Sequence, residues 1–587
     1  MSKLTQVPPN TAAPSSRPHR SNSVTLLRGL PALVLLTLPH LVMAAETQPN
    51  AGSLLGTVPN KRLEPAKPAG SPVPGIPADA ATVLPASKPF LVREMRIEGN
   101  TVFDAATLEA LLAPMVGQSL TLPQIGEGIE AITAYYRAAG YPLARTIIPV
   151  QVIENGVFRV RVIEANWGRG DLTNNSSVQD AVVLRTISDL QMGSVVRLDT
   201  LERATLLLSD LPGVMPRALL RAGQETGSSD LVVEVDPGAP LIGSILVDNF
   251  GSRFTGVERS GGNVQWNNPL RRGDTLAANV LDSAGGGMKY ARLAYEIPVW
   301  SPGVQAGLDK SGLQYKLGDS SANLLASGKV DTSSLWLRTA LLRSPGTNLN
   351  ARLSFNSNIL QDHVDATGVK TDRTVNLWSI ELNGDRQDAW FGQGQNTLGL
   401  AGYGGRVGFD DPTAETLDAG TAKSAGGFSR ATWSFTRNQS LAGRWSALVS
   451  LNGQWAQKNL DSSQKFSIGG ANSVRAYRSG VLSGDTGTFG SLTVRYLLPN
   501  LPGMEYVGNW QLSGFVDTAS VQTNKNPWSS GSNEASLSGA GVGLNWQGPK
   551  GWSGRAFIAA SLGELPSQLA GSESTHTNAW VELAIAF

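Results

Sequence analysis

The sequence contains no cysteine and only four histidines among its 587 residues. The absence of cysteine excludes disulfides, thiolate metal sites and cysteine nucleophiles. His19 and His40 fall in the leader described below, which leaves His363 and His576 too far apart in sequence to suggest a metal motif. The sequence therefore predicts no metal site, and no other cofactor is indicated.

Charged residues are also scarce, at 16% of the chain against about 25% in typical soluble proteins. The net charge of +1 gives no argument for nucleic-acid binding. Outside the leader there is no run of the roughly 18 apolar residues that a membrane helix needs, although short alternating segments abound. A chain of this length with 65 glycines and 14 tryptophans favours a large barrel over one ordinary compact domain.

Acidic residues are absent from the first 45 positions, which carry Lys3, Arg17, Arg20 and Arg28 before an apolar run over residues 30–43. A basic region, an apolar core and a small-residue exit are typical of a secretory signal peptide. A membrane anchor is the alternative, but prolines, a histidine and insufficient length weaken it. We therefore predict that residues 1–45 are removed on export, to a compartment without ATP.

Residues 46–89 are rich in proline, alanine and glycine. Such a composition cannot bury enough apolar surface to fold alone, so this segment is predicted to be a tether. A short plug helix hidden within it is the alternative, which the prolines disfavour.

The next segment, residues 90–165, changes its periodicity in a definite order. A strand over residues 90–100 precedes a first helix capped by Asp104, and a second helix then follows. Two strands flank the hairpin signal at Asn155 and Gly156. The second helix carries one apolar stripe, formed by Ile125, Ile129, Ile132 and Tyr136. The predicted order is strand, helix, helix, strand, strand.

The same order returns over residues 166–239. Helical patterns cover residues 177–190 and 198–211, and strands follow at 214–222 and 229–235. A repeated unit of this size indicates two tandem modules. One larger α+β domain is the alternative.

From residue 240 to residue 587 helical periodicity gives way to alternation with a period of two. Apolar residues share one face in segments such as those containing Trp445 and Trp546, and the opposite face is small or polar. Aromatic residues near the segment ends are typical of the girdles of a transmembrane β-barrel. The last strand keeps its apolar face up to Phe587, as expected of a strand that must close against the first.

A soluble sandwich would also alternate, but export without cysteine and the length of the pattern disfavour it. Dividing roughly 350 residues by about 20 to 22 per strand and connection predicts a barrel of around 16 antiparallel strands. On the strand near residue 515, Trp510, Leu512 and Val516 share one face, so Phe515 and Asp517 should point into the lumen. An inward carboxylate there needs water or a cation, and Arg475 on a long flexible loop could supply the cation.

These pieces together resemble the two-partner secretion transporters, also called TpsB or ShlB/FhaC/HecB proteins, over residues 90–587. The two modules look like POTRA domains. The loop over residues 466–487 is similar to the one that carries the family's Val-Arg-Gly-Tyr signature, and "FVDTA" from Phe515 resembles its Phe-x-Asp-x-Gly strand motif. The loop residues that carry the likeness are Ile468, Gly469, Gly470, Ser473, Val474, Arg475, Tyr477, Gly484, Asp485 and Gly487.

The resemblance implies that Arg475 and Asp517 pair and hold the loop inside the pore. Two positions depart from the family pattern, because Ala476 and Ala519 stand where it has glycines. Alanine at Ala476 would be strained if that position requires a positive φ.

The resemblance also implies a function. It predicts a transporter, not an enzyme, in the outer membrane of a Gram-negative bacterium, with POTRA domains in the periplasm. Its implied partners are a secreted exoprotein with an N-terminal secretion domain, outer-membrane lipid, and the barrel assembly machinery that inserts it. A barrel insertase of the same superfamily and a passive porin are the alternatives. An acylating serine enzyme, suggested only by the Ser-x-x-Lys spacing at Ser462, is the weakest.

Overall fold

The computed structural model describes residues 48–58, 84–499, 507–569 and 577–587. The predicted signal peptide, the middle of the predicted tether and His576 lie outside the described residues. No helix in the described part of the chain is long and apolar enough to cross a membrane.

A short helix, α1 (Ala51–Leu55), lies within the segment predicted to be a tether. Asn50 caps its first turn, because the side chain of Asn50 accepts from Ser53 N while the Ser53 hydroxyl accepts from Asn50 N. The tether prediction is wrong for these residues. The capping hydrogen bonds and the two leucines at its end stabilise this helix despite the proline-rich sequence around it.

The first module has the predicted order of elements. Its elements are β1 (Phe90–Leu91), β2 (Glu94–Glu98), α2 (Ala105–Leu112), β3 (Ser119–Leu120), α3 (Leu122–Ala138), β4 (Arg145–Ile147) and β5 (Val157–Ile163). Asp104 caps α2, and the predicted apolar stripe of α3 is buried against the sheet. The predicted strand over residues 90–100 is broken, since β1 pairs with β3 whereas β2 pairs in parallel with β5.

The hairpin prediction at Asn155 and Gly156 is only half right. Both residues form a turn with positive φ, but nine residues separate the end of β4 at Ile147 from the start of β5 at Val157. The Gln151 side chain takes the place of a paired strand there. It donates to Arg159 O at 2.7 Å and accepts from Arg159 N at 2.8 Å. The proline at position 149 has no N–H for a continuous ladder.

A buried carboxylate joins the strands and helices of the first module. Glu164 Oε1 accepts from Thr101 N at 2.7 Å, Val102 N at 2.9 Å and the Tyr136 hydroxyl at 2.6 Å. Burial raises the pKa of Glu164, but these hydrogen bonds outweigh it and hold the pKa below its usual range. Since the folded pKa lies below the unfolded one, the stabilisation is present above pH 4 to 5 and is lost as pH falls through the folded pKa.

We expect Glu164→Gln to lower the free energy of unfolding of the first module by about 1–3 kcal/mol, because Gln accepts these bonds less well. Urea unfolding of a soluble fragment spanning residues 84–240 measures it. Because Gln does not titrate, the variant should also lose part of the decline in stability that the parent shows between about pH 5 and pH 3. An unchanged pH profile would contradict this role, and Glu98→Gln, at a side chain that is 41% exposed, is the control.

The second module repeats the order of the first. Its elements are β6 (Asn166–Asn174), α4 (Asp180–Thr186), α5 (Leu198–Ser209), β7 (Val214–Ala222) and β8 (Ser228–Pro237). β6 lies parallel to β8 and β7 lies antiparallel to it, in the order β6-β8-β7. The first predicted helix is shorter than expected at both ends.

The rest of the chain forms a closed antiparallel barrel of 16 strands, as predicted. Its first eleven strands are β9 (Leu241–Asp248), β10 (Arg259–Asn267), β11 (Thr275–Ser283), β12 (Met288–Pro298), β13 (Val304–Lys316), β14 (Ala326–Arg343), β15 (Thr347–Val364), β16 (Val369–Asp388), β17 (Gly394–Phe409), β18 (Gly426–Ser440) and β19 (Trp445–Ala456). A helix, α6 (Pro412–Gly420), lies between β17 and β18.

Two short strands, β20 (Phe466–Ile468) and β21 (Leu482–Gly484), pair with each other outside the barrel sheet. Five further strands complete the barrel, and the last of them pairs with β9. They are β22 (Thr486–Leu497), β23 (Asn509–Gln522), β24 (Glu534–Gln547), β25 (Trp552–Ser561) and β26 (Thr577–Ala586).

The outer face of the barrel is apolar, and aromatic rings collect at the end where β9 begins. Trp445 packs on Tyr496 with ring centroids 4.7 Å apart, and Trp510 stacks on Trp546 at 5.7 Å. This belt matches the predicted lipid-interface girdle. On β26 the predicted outward residues Val581 and Leu583 are exposed, whereas Trp580 and Glu582, which alternate with them, are less exposed and lie on the other face.

The second module is fastened to the same end of the barrel. Arg343 donates from Nε and Nη2 to the two carboxylate oxygens of Asp210, both at 2.8 Å. Arg203 donates to Ala340 O at 2.9 Å, and Asn268 to the Ser177 hydroxyl at 2.8 Å. The second module therefore lies against the mouth of the barrel at the end where β9 begins.

Candidate functional site

The candidate site is the loop between β19 and β22, which folds back into the lumen. β20 and β21 pair from Phe466 with Gly484 to Ile468 with Leu482 and form its stalk. Gly469 and Gly470 then turn the chain with φ of 91° and 108°, where a side chain would be strained. The tip is tied to this turn, since Gly470 N donates to Tyr477 O at 2.9 Å.

Arg475 and Asp517 meet at the tip. Arg475 donates from Nε to Asp517 Oδ2 at 2.8 Å and from Nη2 to Oδ1 at 2.6 Å, a bidentate pair. The backbone N of Arg475 also donates to Oδ2 at 3.1 Å. The carboxylate is fully buried and the arginine side chain is 15% exposed, so water screens the pair little.

Residues that sequence reasoning missed complete the polar shell of the pair. The Ser491 hydroxyl donates to Asp517 Oδ1 at 2.7 Å and accepts from Arg475 Nη2 at 3.1 Å, and the Thr493 hydroxyl accepts from Nη2 at 3.4 Å. Both lie on β22, and Ser491 is the register partner of Asp517. Only the strand pairing, not the motif, could have revealed them.

Aromatic rings support the guanidinium. The Arg475 guanidinium carbon lies 3.4 Å from the Phe515 ring centroid and 5.7 Å from that of Phe557. Cation–π attraction of this kind contributes about 0.5–2 kcal/mol, the higher value where water is excluded. The strand-motif phenylalanine therefore positions the arginine beside Asp517.

The rest of the tip is packed into an apolar cluster on the barrel wall. Val474, Ala476 and Tyr477 are at most 1% exposed, and Leu537 and Ala559 belong to the same cluster. Ile468 belongs to this cluster too, and so does Ala519, which stands where the family motif has glycine. The tip is therefore held by packing as well as by charge.

The departure at Ala476 has a structural explanation. Ala476 is not among the non-glycine residues with positive φ in the described part of the chain, so its alanine is unstrained. A Cβ built on Gly539 of β24 would lie 2.4 Å from the Ala476 Cβ. The Ala476 methyl group therefore fits at the tip because Gly539, on the wall opposite, has no side chain.

The remaining loop-motif residues anchor the base of the loop. Asp485, whose side chain is fully buried, accepts from Leu460 N at 3.1 Å and Lys525 N at 2.8 Å and pairs with Lys465 Nζ at 3.1 Å. Gly484 ends β21, and Gly487 lies on β22. Ser473 donates its backbone N to Gly470 O at 3.0 Å within the tip.

A second buried charge cluster connects the loop base to α1. Arg373 donates from Nη1 to Asp362 at 2.7 Å, from Nε to Asp461 at 2.5 Å and from Nη2 to the Ser462 hydroxyl at 3.0 Å. Asp362 also accepts from Ala51 N at 2.7 Å. One arginine on β16 therefore holds α1, β15 and the loop base together.

Helix α1 itself lies in the lumen. Ala51 and Leu54 are at most 1% exposed and belong to a cluster with lumen-facing residues of the wall. A Cβ on Gly52 would lie 2.4 Å from the Ser462 hydroxyl oxygen, so the helix passes directly over the loop base. Two elements, the arginine loop and α1, thus occupy the lumen.

The structure gives no support to the serine-enzyme alternative. Ser462 begins a short 3-10 helix and accepts from Arg373, whereas Lys465 donates to Thr523 O at 2.7 Å and pairs with Asp485. Both residues are thereby part of the loop base. Among the described residues, no three His, Asp or Glu side chains cluster as a metal site.

Comparison with known proteins agrees with the geometry. The profile of the haemolysin secretion/activation protein family ShlB/FhaC/HecB matches residues 227–546, and that of the ShlB-type POTRA domain matches residues 90–165. The heme/hemopexin transporter protein HuxB of Haemophilus influenzae is 26% identical over 525 residues, covering 88% of this chain and 92% of HuxB. The outer membrane transporter CdiB of Escherichia coli is 23% identical over 85% of this chain and 82% of its own.

Solved structures show the same fold. The structure of CdiB from Escherichia coli covers 89% of this chain and 94% of its own, with a TM-score of 0.68 and 21% identity. The structure of BamA from Haemophilus ducreyi lacking POTRA domains 1–3 aligns over its whole length with 85% of this chain, with a TM-score of 0.51 and 15% identity.

Proposed function

The chain belongs to the ShlB/FhaC/HecB family of haemolysin secretion/activation proteins, and we propose that its partner is one large exoprotein with an N-terminal secretion domain. Proteins of this family secrete partner proteins through an outer-membrane barrel, with POTRA domains in the periplasm. The proposed exoprotein is an adhesin or a haemolysin-like protein. The barrel assembly machinery is proposed to insert the protein after residues 1–45 are removed.

The observation that carries the mechanism is the buried pair of Arg475 and Asp517 inside a closed barrel. A loop held by a charge pair in the lumen occupies the path that a polypeptide must take. We therefore propose that the loop leaves Asp517 when the partner enters and returns after its passage. Folding of the partner outside the cell then prevents its return without ATP.

The two modules are the proposed receptor. In the first, β4 forms one edge of its sheet, and the chain beyond it exposes Val150 and Val152 almost fully. In the second, β7 is an edge strand with Met215 and Leu219 exposed. An unfolded segment of the partner can pair with such an edge and bury these side chains.

Helix α1 is proposed to plug the pore at rest. Its capped first turn, its buried Ala51 and Leu54, and the bond from Ala51 N to Asp362 support a seated element. Since the loop base is held by the same arginine, displacement of α1 and of the loop would be coupled.

The alternatives predict different phenotypes. Deletion of the gene is expected to remove one large exoprotein from the culture fluid while other outer-membrane barrels keep their normal abundance. Quantitative proteomics of both fractions measures it, with the complemented strain as control. General loss of barrels would instead favour an insertase. If the protein were a passive porin, deletion of the gene would change neither the exoprotein nor the other barrels and would lower only the uptake of small solutes.

A further inference from the structure

The junction between the first and last barrel strands is only half paired. β26 pairs with β9 from Ala586 with Ser244 to Glu582 with Asp248, where β9 ends. On its other side, β26 pairs with β25 as far as Thr577. Residues 577–581 of β26 therefore extend, on the extracellular side, beyond the last residue of β9.

One side chain continues the ladder across this gap. Asn249 follows β9 directly, and its backbone N donates to Val581 O at 3.2 Å. Its side-chain Oδ1 accepts from Val581 N at 2.8 Å, and its Nδ2 donates to Ala579 O at 3.0 Å. Asn249 thus pairs with β26 as one more strand residue would. No backbone group of β9 forms a hydrogen bond with Asn578 or Thr577.

The arginine loop covers residues 577–581 of β26 from the lumen. Trp580 donates from Nε1 to Arg475 O at 2.7 Å, and Asn578 donates from Nδ2 to Ala476 O at 2.5 Å. Trp580 is 4% exposed, so its bond is shielded from water.

The same loop also holds the chain that follows β9. Ser479 donates its hydroxyl to Phe250 O at 2.8 Å. The Phe250 ring meets the Trp580 ring edge to face, with centroids 5.7 Å apart, and Ala471 of the loop belongs to their cluster. One loop therefore bonds to both sides of the junction.

We propose that the arginine loop is a clamp on the extracellular half of the junction between β9 and β26, with Trp580, Asn578 and Asn249 as its positioning residues. The carbonyls that accept from Trp580 and Asn578 belong to Arg475 and its neighbour. A tip that leaves Asp517 must therefore also release β26. The clamp goes beyond the proposed secretion mechanism, because it describes the resting barrel and does not require that the loop move during transport.

The absence of cysteine allows a direct distance measurement. Spin labels on Ser260→Cys of β10 and Leu562→Cys after β25, both exposed positions, bracket the extracellular half of the junction. Pulsed dipolar EPR on the full chain in lipid nanodiscs then gives the distance distribution across it. We expect Trp580→Phe combined with Asn578→Ala to lengthen and broaden it by about one strand spacing, roughly 5 Å.

The matched control is Trp546→Phe, which removes an indole bond of the same kind, 2.8 Å to Val507 O, on another part of the wall. It should leave the distribution unchanged. Asp517→Ala should lengthen it like the double variant, because it frees the tip. A distance distribution in the double variant that matches the parent's would overturn the inference, and so would a parent-like distribution in Asp517→Ala. If the double variant does not insert, Trp580→Phe alone, which keeps the ring contact with Phe250, is measured against the same criteria.

Discussion

Arg475→Ala is expected to reduce secretion of the partner at least tenfold while the barrel stays inserted in the outer membrane. The substitution leaves the fully buried Asp517 carboxylate without its cation. Removal of one partner from a buried ion pair costs about 3–5 kcal/mol. Because about 1.4 kcal/mol changes an equilibrium tenfold, the seated position, to which the tip must return after each passage of the partner, would lose its advantage over detached positions by a factor of about 100 or more. Exoprotein in the culture fluid, and the heat-modifiable migration of the barrel on gels, measure the two effects.

The partner variant sharpens this prediction. Asp517→Ala should give the same defect, and the double variant should be no worse than either single one, because all three remove one interaction. Arg478→Ala, an arginine three positions along the same loop, keeps the pair and is the control. Normal secretion by Arg475→Ala would contradict the role of the loop. Additive losses in the double variant would show that the two residues act separately.

Arg373→Met is expected to release α1 and the loop base together. It leaves two carboxylates, Asp362 and Asp461, near each other in an enclosed part of the lumen without the arginine that bonds to both. A loss of about 3–5 kcal/mol would again shift the ratio of released to seated states by a factor of about 100 or more. Single-channel recordings in planar bilayers should show frequent large openings in the variant, whereas the parent should show them rarely.

Matched variants separate this effect from general damage. Arg437→Met removes an arginine that pairs with Asp388 at 2.8 Å, near the periplasmic end and away from α1, and should leave conductance unchanged. Adding Asp461→Asn to Arg373→Met should make the large openings less frequent again, because one unpaired charge is removed. Conductance of Arg373→Met equal to that of the parent would show that the cluster does not seat α1.

The parts of the fold that the sequence predicts are those governed by local periodicity. Alternation along β26 and β23 correctly separates outward Val581 and Val516 from inward Phe515 and Asp517, because a strand turns each successive side chain to the opposite face. The strand number follows from the same pattern and the usual connection length. The helices of the first module follow from one buried stripe and one cap.

The contacts that the sequence does not predict are those that depend on register and on distant pairing. Arg373 gives no local sign that it joins residues 11 and 88 positions away. Gly539 and Ala476 are complementary in shape, but each is unremarkable in its own segment. Helix α1 was obscured because composition over the whole tether outweighed a capping pattern of a few residues. Non-local geometry, not propensity, determines all three.

A disulfide between the loop tip and the wall tests the central claim, that the loop must leave the lumen for secretion, most directly. The chain has no cysteine of its own, and the Cβ of Ala476 lies 2.4 Å from a Cβ built on Gly539, so a shift of about 1 Å brings Ala476Cys and Gly539Cys to the spacing of a disulfide. Each single cysteine variant is the control for the substitutions themselves. We predict that the oxidised double variant secretes no partner and that a membrane-permeant reductant restores secretion in the same cells. Equal secretion by the oxidised and reduced forms would contradict the account.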